Sequence, residues 1–207
     1  IFHVLRRQVK RPFRLPLILM TPKSMLRVNT SRVADLAHGR FLEIIDDPAF
    51  APLPWEKGGQ GGASKSGVRR VVLCTGKLYH ELDERRRSIA KKDVAIVRVE
   101  QLYPLHVEAL KEVLASYPRE AELIWAQEEP QNMGAFGFIE AELRERVGVA
   151  GVRYVGRPRS GTPATGSKTQ HKKQQESILS GAIGPVSGDG GKGQGENASR
   201  TPAGARG

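Results

Sequence analysis

Arg70-Val71-Val72-Leu73-Cys74-Thr75-Gly76-Lys77-Leu78 is the stretch that decides the fold. Its β-branched and apolar run predicts a strand, and Thr75-Gly76 ends it. Leu78, Leu82 and Ile89 then share one helical face among Glu81, Asp83, Glu84, Arg85, Arg86 and Arg87. The same alternation repeats downstream. Residues 94–99, 123–126 and 152–155 predict strands, and residues 106–117, 134–147 and 167–179 predict helices. Val107, Leu110, Val113 and Leu114 face one way on the second helix, and Phe138, Ala141 and Leu143 are partial core positions on the third. Strand–helix alternation predicts an α/β fold: a mostly parallel sheet with helices on both faces. The near-continuous apolar strands agree with burial on both sides. Crossovers of this kind are right-handed, whereas strand order is not legible.

Upstream, Phe2, Leu5 and Val9 recur at helical spacing between arginines, so residues 1–11 predict an amphipathic helix, ended by Pro12 and Pro16. Leu17-Ile18-Leu19-Met20 reads as a short buried strand, Thr21-Pro22 as the start of a turn or short helix through Arg27, and residues 41–45 as another strand. No periodicity survives in residues 46–67, with their Asp46-Asp47-Pro48, Pro52, Pro54 and glycine-rich segment, which read as a linker or long surface loop. Residues 181–207 are dense in glycine without apolar periodicity and read as a disordered tail.

The formal net charge of +11 points to polyanionic partners such as nucleic acid, an acidic membrane or phosphorylated ligands, unless it is a general compositional trait. The basic residues are spread along the chain, with one local cluster at Arg6, Arg7, Lys10, Arg11 and Arg14. Cys74 is the single cysteine, which excludes an internal disulfide; inside a predicted strand it reads as a buried small hydrophobe. Apolar runs fall far below the roughly 20 residues of a membrane span. A first residue of Ile rather than Met leads to the expectation of an incomplete piece of a larger enzyme. The tail's Gly188-x-Gly190-x-x-Gly193 lacks the strand and helix that a dinucleotide site needs, and the five histidines have no metal-ligand spacing.

Three long motifs go further. They are Arg6-Arg7-Gln8 with Arg11-Pro12-Phe13-Arg14 and residues 16–27; Thr75-Gly76-Lys77-Leu78-Tyr79 with residues 93–104; and Gln127-Glu128-Glu129-Pro130-Gln131-Asn132-Met133-Gly134-Ala135-Phe136. In this order they closely resemble the C-terminal end of the E1 component of 2-oxoglutarate dehydrogenase, over about residues 2–180. The resemblance implies a homodimeric, thiamine diphosphate-dependent enzyme with transketolase-like architecture. Such an enzyme decarboxylates 2-oxoglutarate and passes the succinyl group to the lipoyl arm of E2, in a complex that also holds E3. It implies that residues 1–45 end the pyrimidine-side domain, that 46–67 link it onward, that 68–180 form the C-terminal domain, and that thiamine diphosphate and Mg²⁺ are bound by residues outside this chain. Its expected location is the mitochondrial matrix in a eukaryote and the cytoplasm in a bacterium. Val28 stands where many members have a histidine close to the active site, which leaves no residue here read as catalytic, and the piece alone is expected to be inactive.

Two readings stand for each remaining cluster. Arg6, Arg7, Arg11 and Lys23 either hold the phosphate of an effector such as AMP or acetyl-CoA, as the resemblance implies, or form a solvated face. Glu128 and Glu129 end a strand at its carboxyl edge, where paired carboxylates serve acid–base chemistry. Their other reading, with Asn132 and Gly134, is a structural motif that caps the next helix and meets a neighbouring domain. Two further function classes compete with the enzyme reading: a free-standing regulatory subunit that pairs with a complete E1, and a basic nucleic-acid-binding module. Against the latter, no recognition motif appears and the basic residues do not alternate with aromatics.

Overall fold

The computed structural model describes residues 2–28, 33–51, 62–149 and 151–186. Most of the glycine-rich stretch and the tail motifs beyond residue 186 lie outside the described residues.

Five strands form one sheet: β1 (Ile44–Ile45), β2 (Arg70–Cys74), β3 (Val94–Val99), β4 (Glu122–Pro130) and β5 (Arg153–Arg157), in the order β1-β3-β2-β4-β5. β2 to β5 pair in parallel and β1 is an antiparallel edge. The helices are α1 (Phe2–Lys10), α2 (Val33–His38), α3 (Leu78–Ser88), α4 (Val107–Ala115), α5 (Phe136–Glu142) and α6 (Lys168–Ala182), with a π-helical turn, Leu143–Val147, continuing α5.

Strand side chains alternate between faces, and both faces are covered. Val71, Leu73, Ala95, Val97 and Trp125 pack with Leu110 of α4 and Ile139 of α5. Val72, Cys74, Ile96, Ile124 and Ala126 pack with Leu82 of α3 and Ile178 of α6. Each buried aliphatic side chain contributes about 1.5–3 kcal/mol, so this double layer holds the domain together. The expected mostly parallel α/β sheet is therefore present.

Three findings depart from the sequence reading. β4 runs without a break from the predicted apolar run 123–126 through Glu128 and Glu129, read as a strand's carboxyl end, to Pro130, which pairs with Arg157 of β5 after a register shift. No strand forms at residues 17–20; Ile18 and Met20 are 83% and 94% exposed. An extended apolar segment needs a strand beside it to satisfy its backbone, and no sheet strand pairs with this one. Leu5 and Val9 on α1 are likewise exposed.

The third concerns Asp47, read as the start of a linker or surface loop. It is wholly buried. β1 pairs only with Arg98 and Val99 of β3. Further along that edge, the Ile96 N–H donates to Asp47 Oδ2 at 2.7 Å, so a carboxylate takes the place of a strand. Arg86 of α3 clasps both Asp47 oxygens and also donates to Asp83 Oδ1 at 2.7 Å. Lys65 adds a second tie, pairing with Asp46 and donating to Ser116 Oγ at 2.6 Å.

Candidate functional site

From β2 the chain crosses to β3 on one side and then to β4 on the other. The reversal leaves a crevice at the carboxyl ends of β2 and β4, the position where open α/β sheets place ligands. Thr75-Gly76 turns the chain there, with Gly76 at φ +63°, and Lys77 follows at the head of α3. Its ammonium is 2.7 Å from Glu128 Oε1 at the end of β4 and also pairs with Glu81. Glu81 in turn accepts from Gln175 Nε2 of α6 at 2.7 Å. Burial alone would lower the Lys77 pKa, but the hydrogen bonds to Glu128 and Glu81 outweigh it and raise it. Lys77 is thus a held cation and not a base.

Beside the crevice, Gln127 organises the Glu128–Phe136 loop. Its Oε1 accepts from Trp125 Nε1 at 2.9 Å and from the Phe136 N–H at 3.0 Å. Its Nε2 donates to the carbonyls of Met133, Glu129 and Pro130. Gly134 sits at φ +68°, and a Cβ there would lie 3.0 Å from Gln127 Nε2 and Glu129 Cβ. Only glycine suits that conformation and that contact. Asn132 exchanges two hydrogen bonds with the Ser160 backbone, and Tyr154 Oη donates to the carbonyls of Glu129 and Arg157.

The two carboxylates therefore separate. Glu128 is tied to Lys77, whereas Glu129 is exposed and has no side-chain partner among the described residues. Asn132 and Gly134 shape the loop, which favours the structural reading of this motif. Cys74 is fully buried and its thiol pKa is pushed far up by burial, which keeps it protonated. His80, partly buried beside α3, has its pKa lowered by burial and then by Arg98.

Arg6, Arg7 and Arg11 lie exposed on or just after α1, and Lys23 is exposed at the start of a 3₁₀ turn, Lys23–Arg27. Arg11 stacks on Phe13 at 5.3 Å. None of the four pairs with a carboxylate among the described residues. Val28 is half exposed.

Sequence reasoning missed Lys77, Gln127, Asp47 and Arg86 as organising residues. Only Lys77 carried a local signal, its place directly after a strand's Thr-Gly turn. Asp47 and Arg86 are 39 residues apart, and the partners of Gln127, though near in the chain, are backbone groups that side-chain patterning does not show. A cavity of about 620 Å³ lies at the amino edge between residues 48–50 and the end of α3, away from the crevice.

Among the described residues, no three His, Cys, Asp or Glu gather into a set that could hold a metal ion. Nor is any helix among them long and apolar enough to cross a membrane.

Residues 30–183 match the family described as 2-oxoglutarate dehydrogenase C-terminal. The 2-oxoglutarate dehydrogenase E1 component of Cupriavidus necator is 40% identical over 192 residues, covering 91% of this chain and 19% of that protein. The same component of Brucella ovis is 42% identical over 194 residues, covering 88% of this chain and 19% of that protein. The chain thus spans about a fifth of the length of these curated relatives. With a parallel sheet whose carboxyl edge is ordered by the Gln127–Phe136 motif, and a match across most of its length, this chain belongs to the 2-oxoglutarate dehydrogenase C-terminal family.

Proposed function

We propose that this chain serves as the C-terminal domain of an E1 enzyme that oxidatively decarboxylates 2-oxoglutarate with thiamine diphosphate and Mg²⁺ and transfers the succinyl group to lipoyl-E2 in the tricarboxylic acid cycle. Its own part is assembly of a homodimer, while the cofactor is held by parts of the enzyme outside this chain. Residues 1–45 complete the pyrimidine-side domain and 68–180 form the C-terminal domain. The working location is the cytoplasm in a bacterium and the mitochondrial matrix in a eukaryote.

One observation carries the assembly role: the apolar run at residues 15–20, where Leu15, Ile18 and Met20 are 62%, 83% and 94% exposed. Contiguous exposed apolar surface of this kind marks an interaction site. Lys77, shared between Glu81 and Glu128, is engaged in ion pairs, which supports a structural role for this cluster. Co-expression with a Brucella-type E1 lacking its C-terminal fifth tests the reading. Stoichiometric co-purification is expected; two proteins that elute separately would overturn it.

The exposed cations Arg6, Arg7, Arg11 and Lys23, which pair with no carboxylate among the described residues, support a second role, binding the phosphate of an effector such as AMP or acetyl-CoA.

A further inference from the structure

β5 ends in Gly156-Arg157, and the loop that follows, beginning Pro158-Arg159, leads into α6. Arg157 is only 7% exposed. Its Nη2 lies 2.8 Å from His171 Nδ1; since a guanidinium only donates, the imidazole nitrogen accepts. No carboxylate pairs with Arg157 among the described residues, and its Nε is buried without any hydrogen-bond partner. A buried charge without a counter-charge is costly, so buried cations are nearly always paired. The missing partner is therefore an anion that this domain does not supply.

The surroundings say which kind. Arg157 borders a cavity of about 130 Å³, lined also by Arg159, Ser160, Thr162, Thr165 and Gln174, with no Asp or Glu on its wall. At about 30 Å³ per water, that is room for roughly four waters or one tetrahedral oxyanion. Gln174 contributes the complementary defect: its Oε1 is buried with no donor. A tetrahedral oxyanion in the cavity answers the uncompensated charge of the Arg157 guanidinium, with Arg159, Ser160, Thr162 and Thr165 around it. The wall is held in advance, because Asn132 fixes the Ser160 backbone through two hydrogen bonds of 3.0 Å. A site ordered before binding loses less entropy on binding.

We propose that the cavity between the end of β5, the 158–165 loop and α6 is a phosphate-binding site, taking either free inorganic phosphate or the phosphate group of a nucleotide. It is distinct from the cations around α1.

The test is titration of the ¹⁵N-labelled 207-residue chain in phosphate-free buffer, with inorganic phosphate in one arm and AMP in the other. The Arg157 Nε–H signal, assigned by its loss in Arg157→Lys, should shift saturably. Equal affinities identify free phosphate as the ligand; AMP binding at least about tenfold tighter identifies a nucleotide. Gln174→Glu is the second variant. It places a carboxylate on the same wall, so it should raise Tm in phosphate-free buffer and weaken phosphate binding by about tenfold or more, the cost of losing a charge-assisted contact. No saturable shift in either arm with the fold intact, or undiminished phosphate affinity in Gln174→Glu, would overturn the proposal.

Discussion

Asn132 and Ser160 hold each other through two reciprocal hydrogen bonds: Asn132 Nδ2 donates to the Ser160 carbonyl and the Ser160 N–H donates to Asn132 Oδ1, each at 3.0 Å. They join the loop after β4 to the loop after β5, so the carboxyl edge of the sheet is one connected surface. Replacing Asn132 by Ala removes both bonds. At about 0.5–1.5 kcal/mol net each, the loss should be about 1–2 kcal/mol. Amide hydrogen exchange at Ser160 should accelerate first, while exchange in β2 and β3 stays slow.

Gly134→Ala should cost about 1–3 kcal/mol, because the residue sits at φ +68° and the new methyl meets Gln127 and Glu129 at 3.0 Å. A urea midpoint unchanged from wild type would remove Gly134 from the account of the loop.

Asp47→Ala leaves Arg86 buried with Asp83 as its remaining carboxylate partner and strips the Ile96 N–H of its acceptor. Breaking a buried pair in this way costs about 3–5 kcal/mol. In a double-mutant cycle with Arg86→Met the penalties should be strongly non-additive; simple additivity would mean that the two residues act independently.

Asp83 gives the pH dependence. Burial pushes its carboxyl up, but hydrogen bonds from Arg87 and Arg86 outweigh this and hold it below its ordinary value of 3.8. A depressed folded value means that the contribution is complete above the unfolded value and is lost as pH falls through the folded one. Denaturant midpoints of wild type should therefore decline below about pH 4 more steeply than those of Asp83→Asn. Parallel acid limbs would show that the pair is not coupled to folding.

The effector role of the α1 region calls for calorimetry on a full-length enzyme. Arg7→Ala should weaken AMP or acetyl-CoA by about tenfold, the scale of one charge-assisted hydrogen bond. Equal affinities would remove Arg7 from that site.

Strands β2 and β3 were legible to the residue, because their apolar runs are buried on both faces and bounded by turns. β4 was legible only in its apolar half. Glu128 and Glu129 read as its carboxyl end, but nothing local shows that Gln127 satisfies its whole amide internally. Residues 17–20 failed for the converse reason: local apolarity predicts a strand, but a strand also needs a neighbour. The Lys77–Glu128 contact spans 51 residues and depends on strand order, which periodicity does not encode. Arg157 was missed because an arginine at a strand end reads as a surface charge until its burial is known.

The central claim is that this chain performs the part of an E1 C-terminal domain, and a chimera tests it most directly. The last fifth of the Brucella ovis E1 component is replaced by this chain, and 2-oxoglutarate-dependent dye reduction is measured with thiamine diphosphate and Mg²⁺ present. The account predicts that the chimera turns over while the truncated enzyme and this chain alone do not. A correctly folded, dimeric chimera without activity, or turnover by this chain alone, would contradict it.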